Sequence, residues 1–68
     1  MIWERNGEAY YATLERLSGE VLFHLIVEQT PDGAWDWAVW ASDGTYEASG
    51  MAPILHVAML EGEKNAKL

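Results

Sequence analysis

Turn-forming residues cut the first fifty positions of this chain into pieces too short for anything but strands. The reversals fall at Asn6-Gly7, Ser18-Gly19, Pro31-Asp32-Gly33 and Asp43-Gly44. Glycine supplies left-handed backbone, proline a fixed φ, and Asn or Asp a side chain that bonds its own turn. Asn-Gly is the strongest short hairpin signal, because its usual turn needs φ > 0 at both central residues. The intervening runs are apolar and β-favouring. They predict strands over 2–5, 8–16, 20–29, 34–41 and 45–49, consecutive members of an antiparallel meander.

The last third changes character. Leu55, Ala58, Met59, Gly62 and Ala66 recur at helical spacing and wind into one stripe. Pro53 suits a first helical turn, where its missing N–H costs nothing. A helix over 53–64 follows, ending or fraying near Gly62, which costs about 1 kcal/mol against alanine. The expected fold is α+β, an antiparallel meander sheet of four to five strands in a single small domain, with one C-terminal helix packed on one face.

Side chains alternate across a strand, so each strand divides its residues between a covered and an open face. Val21, Phe23, Leu25 and Val27 form one set and belong under the helix, with Trp35, Trp37, Val39 and Ala41. Tyr10, Ala12 and Leu14 share a face, with Tyr11, Thr13 and Glu15 opposite. Trp40 then falls on the open face with Leu22, Ile26 and Tyr11, surrounded by Glu15, Glu20, Glu28, Asp36 and His24. An apolar centre with a charged rim has the anatomy of an association site, and Trp and Tyr are enriched at binding hot spots. Scattered exposed apolar residues are also ordinary on soluble domains, so both readings stand at this point. Away from its stripe the helix shows Ile54, Val57, Leu60 and Leu68, where a solvated face would carry charge. That arrangement predicts either a wide buried stripe or a second contact.

Composition narrows the class. Half of the 68 residues are apolar and there is no cysteine, which excludes disulfide staples and cysteine zinc sites. A domain of this size buries a small core and leans on its aromatic side chains. The net charge of −7 resides entirely in residues 1–50, since Glu61 and Glu63 are balanced by Lys64 and Lys67. Such a surface repels nucleic acid and anionic membranes and attracts basic partners. No run is long and apolar enough to span a bilayer, and the opening residues lack the pattern of a signal peptide, so the cytoplasm is the expected location.

Catalytic chemistry finds no foothold. His24 and His56 have no acidic or histidine partner at ligand spacing. Ser18, Ser42 and Ser49 are turn residues. Gly33, Gly44 and Gly50 make no phosphate loop, and Asp32, Asp36 and Asp43 fit no calcium loop. No enzyme activity, metal or cofactor is expected.

The stretch WDWAVWASDGTYEASGMA, followed by AMLEGEKNAK, resembles the C-terminal half of many short uncharacterised bacterial and bacteriophage proteins. In those a Trp-rich strand, a turn, an SG-x-A corner and an alanine-rich helix follow in order. The resemblance covers about half of the chain and implies a sheet-plus-helix fold, with a corner at Ser49-Gly50-Met51-Ala52. It carries no activity or site. This helix departs from the pattern at Ile54, Leu55 and Val57, where polar residues are usual, which points to a contact of its own.

The expectation is a small acidic, non-enzymatic protein-binding module. In its narrower form it is a phage- or prophage-encoded inhibitor of a bacterial defence machine, acting in the infected host's cytoplasm. The partner would be a basic nucleic-acid-binding protein met through Trp40, Leu22, Ile26, Tyr11, Glu15, Glu20, Glu28 and Asp36, with no direct contact to nucleic acid or membrane. This rests on size and charge rather than on a motif. The alternatives are a homodimeric structural or housekeeping protein and a small-ligand binder.

Overall fold

The computed structural model describes residues 1–66. Five strands, β1 (Glu4–Asn6), β2 (Ala9–Glu15), β3 (Val21–Gln29), β4 (Trp35–Ala41) and β5 (Glu47–Ala52), form one antiparallel sheet in chain order. A helix, α1 (Leu55–Asn65), packs against β3, β4 and β5. The fold is the α+β meander that the turn spacing implies.

Local chemistry sets each reversal. At the first hairpin the closing pair is Asn6 and Ala9, and the central residues are Gly7 and Glu8. Only Gly7 has positive φ, at 67°. Asn6 is therefore a strand residue, and the turn has the II′ pattern with glycine first rather than the I′ turn that Asn-Gly predicts. The second and third hairpins share one design. Thr30 N–H donates to the carbonyl of Ala34 and Gly33 N–H to that of Thr30, with Gly33 at φ 94°. The same two bonds recur between Arg16, Gly19 and Glu20.

The core is thin and matched in shape. Leu25, Val27 and Val39 are the large side chains wholly removed from solvent, and Ala58 of the helix packs with Val27. Val27, Ala52 and Ala58 form one cluster, into which Trp35, Trp37, Leu55 and Met59 pack. Phe23, Leu25, Val39, Ala12, Ala41 and Ala66 form the other, and Trp37 joins the two. The face assignments for Trp35 and Trp37 therefore hold.

Further details differ from the sequence expectation. Strand β5 runs through Ser49-Gly50-Met51-Ala52, so the SG-x-A corner is straight strand. Gly50 is needed for space: a Cβ there would lie 2.8 Å from Trp37 Cε2 and Cζ2. The helix begins after Ile54, its N-cap, which leaves Pro53 outside it, and runs past Gly62 to Asn65. Gly62 is buried, and a Cβ there would meet Leu25 Cδ2 at 3.4 Å, an ordinary contact, so packing of the helix on β3 carries it past this poor helix former. Val57 is half-buried in the second cluster, while Ile54 and Leu60 stay exposed; Leu68 lies outside the described residues.

The fourth tryptophan closes the covered face at its free end. Trp3 turns inward beside β1, touches both clusters, and donates its indole N–H to Glu63 Oε2 of α1 at 2.7 Å. This shortens β1 to three residues, where the sequence predicts a strand from Ile2.

Candidate functional site

Strand register fixes what the uncovered face presents. Glu4, Tyr11, Ile26, Ala38 and Ser49 lie in one row across all five strands. A neighbouring row is Thr13, His24, Trp40 and Glu47, and another is Ala9, Glu28, Asp36 and Met51. Directly paired residues share a face. The rows therefore bring together Tyr11, Ile26, Trp40, Glu28 and Asp36, as the alternation predicts.

Trp40 is 38% exposed and stands at the centre of its row. Its ring stacks on His24, centroids 5.4 Å apart and planes 14° from parallel. That contact limits the rotamers open to the indole, so little side-chain entropy remains to be lost on binding. His24 is thus a support for Trp40 rather than part of a charged rim. Tyr11 is 41% exposed and Met51 61%. Ile26 is half-buried between its neighbours.

Two expected members of the site are displaced. Glu20 precedes β3 in the hairpin loop, where its Oε1 accepts from Arg16 Nε at 2.9 Å. Leu22 sits where the β2–β3 register shifts between Leu14 and Glu15, the extra residue of a bulge. It is half-buried and packs against the cluster around Phe23 and Ala41, so less of it is offered to a partner. Glu15 remains beside the face, accepting from Thr13 Oγ1 at 3.4 Å.

Charge on this face has one sign. Register puts Glu4, Glu28, Asp36 and Glu47 on it, with Glu15 at the corner, and no lysine or arginine among the described residues joins them. Arg5 pairs with Tyr10 on the opposite side, Arg16 is held in the loop by Glu20, and Lys64 is on the helix. Glu28 and Asp36 are direct cross-strand partners. Like charges in that position are destabilising, so folding gains nothing from the pair. Beside them a depression of about 370 Å³ is lined by Ile26, Ala38, Ser49 and Met51.

Glu4, Glu47 and Met51 belong to the face but not to the predicted site. Met51 lay in the supposed corner, and the other two needed the pairing partners of the short edge strands. The register of β3 on β4 was recoverable: a loop closed by Thr30 and Ala34 forces Gln29 opposite Trp35, and counting back sets His24 opposite Trp40.

The carboxyls with displaced acidity lie elsewhere. Asp32 is held below the ordinary carboxylate range by the Thr30 hydroxyl and then by the Ala34 N–H. The hydroxyl and then the backbone N–H of Thr45 do the same for Asp43. Both act within their own turns. Among the described residues no group of three or more His, Asp or Glu side chains is placed to hold a metal, and no helix is long and apolar enough to cross a membrane. No family model, curated protein or solved structure matches the chain.

Proposed function

We propose that the protein is a non-enzymatic protein-binding module that docks a basic surface of its partner against the open face of the sheet. The observation that carries this reading is the uniform charge of that face. Its carboxylates share the face with an exposed tryptophan already held by His24, and among the described residues no lysine or arginine on the face neutralises them. An aromatic anchor within a polar rim is how most interfaces concentrate their affinity. Like-signed charges on one surface raise the rate of encounter with a basic partner. The narrower reading, a phage-borne inhibitor of a defence machine, draws support from the same face, since clefts built for phosphates are lined with Lys and Arg.

An oligo-arginine peptide at low salt is the first probe. Amide shifts should concentrate at Tyr11, His24, Ile26, Asp36 and Trp40, and the affinity should fall steeply as salt rises. A guanidinium over a tryptophan contributes about 0.5–2 kcal/mol, so Trp40→Ala should weaken the peptide by that amount and leave the melting curve nearly unchanged. Shifts spread evenly over the turn carboxylates Glu8, Asp32 and Asp43, with no effect of Trp40→Ala, would reduce the acidic surface to a solubility device. A homodimer on the same face is distinguished by sedimentation: it strengthens with salt as the two acidic rims are screened.

A further inference from the structure

The second surface that stands out is an edge rather than a face. Strand β1 pairs only with Ala9, Tyr10 and Tyr11, while β2 continues to Glu15. The turn explains which groups this leaves free. In a two-residue hairpin the flanking residues exchange both backbone bonds, so the groups of β2 aimed at β1 are those of Ala9 and Tyr11. Alternation gives the next outward pair to Thr13. No backbone bond among the described residues reaches that edge beyond Tyr11.

The edge is open because of Trp3. By turning in to Glu63 it ends β1 at Glu4, so Met1 and Ile2 do not pair with β2, and Ile2 is 83% exposed. The result is a groove of about 640 Å³ beside β2, walled by Met1, Ile2, Glu4, Thr13, Leu14 and Glu15. Exposed edges are usually blunted by lysine, proline, a covering helix or a bulge. Ala12, Thr13 and Leu14 have no lysine or proline, and α1 packs on β3, β4 and β5 only. Among the described residues the blunting device is the bulge at Leu14/Glu15, which sets the far end of the opening.

We propose that this edge, from Ala12 to Glu15, receives an extended segment of a partner protein as an added antiparallel strand in line with β1. Its chemistry follows from the walls. Side chains of the added strand on the open side meet Glu4, Thr13 and Glu15; those on the covered side meet Leu14. The fitting segment alternates basic and apolar residues. A second copy of this chain is the wrong occupant, because pairing two such edges sets Glu4 and Glu15 of each copy against the other's on a protein already at −7. This contact adjoins the open face, sharing Glu4, Thr13 and Glu15 with it, but its backbone pairing stands without Trp40.

The test uses the intact chain and a capped peptide of alternating lysine and valine. On binding, exchange of the Thr13 amide should slow by about 10-fold or more, as for a newly paired strand. A glutamate-valine peptide should not bind. A lysine-valine peptide N-methylated on its pairing edge should lose the Thr13 protection while keeping its charge, and this control leaves the protein untouched. Trp40→Ala should bind the parent peptide normally. Unchanged exchange at Thr13, protection appearing instead along β5, or equal binding by the N-methylated peptide would overturn the proposal. Protection of Thr13 that appears without peptide as protein concentration rises would assign the edge to a second copy and overturn it equally.

Discussion

Gly50→Ala is the substitution whose effect the structure determines most directly. The residue lies in β5 with ordinary φ, so backbone freedom is not the reason for glycine. A methyl group would meet the Trp37 indole at 2.8 Å from Cε2 and Cζ2 and 2.9 Å from Nε1. The indole is rigid and packed against both core clusters, so it has little room to retreat. Overpacking of this kind costs about 1–3 kcal/mol. Relieving the entropy of glycine in a strand returns about 0.5–1 kcal/mol. The net loss should centre on about 1 kcal/mol, within limits of about 0–2.5 kcal/mol, a central fall in Tm of about 4–8 °C for a domain of this size. Urea and thermal melts measure it, and Trp37→Phe supplies the partner for a double-mutant cycle. With the smaller ring the penalty should shrink by about 0.5 kcal/mol or more. A Gly50→Ala protein at least as stable as the parent, or a cycle with no coupling, would refute the packing of Gly50 on Trp37.

Two further outcomes follow from local geometry. Gly62→Ala places its methyl 3.4 Å from Leu25 Cδ2, an ordinary contact with a flexible group. The variant should be up to about 1 kcal/mol more stable in a thermal melt, and a destabilised variant would mean that the helix sits closer to β3 than described. The pKa values of Asp32 and Asp43 are lowered from the ordinary 3.8 by their turn hydrogen bonds. A lowered folded value means that the stability they add is complete above the unfolded value and lost as pH falls through the folded one. Asp43→Asn should therefore flatten the stability profile below about pH 4; an unchanged acid limb measured by denaturant titration would count against the Thr45 bonds.

What the sequence revealed and what it hid divide along physical lines. Period-two alternation has no free parameter once a strand is recognised, so the faces of Trp35, Trp37 and Trp40 were legible. Glycine carries two meanings, and sequence does not separate them. Gly33 relieves a left-handed turn, whereas Gly50 makes room for an indole within the four residues where a corner was expected. The pairing of Glu20 with Arg16 depends on where a loop begins, which boundary reading leaves uncertain by a residue or two. Trp3 was the least legible. Its partner Glu63 is sixty positions away, and nothing local in MIWER favours an inward turn over two more residues of β1.

The open face also carries an arrangement that stability alone does not favour. Glu28 and Asp36 are directly opposed on neighbouring central strands, and both are exposed. Glu28→Lys converts this repulsion into a cross-strand attraction. Exposed pairs are screened, so the gain should be about 0.5–1 kcal/mol, raising Tm by about 2–8 °C. The same change removes a carboxylate from the proposed docking face and should slow the association of the oligo-arginine peptide. Glu8→Lys is the control, since it alters net charge equally but lies in the first turn, off the face. A face selected for a basic partner predicts a split: Glu28→Lys is more stable and binds worse, while Glu8→Lys changes stability little and weakens binding less. Equal losses of binding in the two variants would show that net charge, and not its placement beside Trp40, governs the encounter.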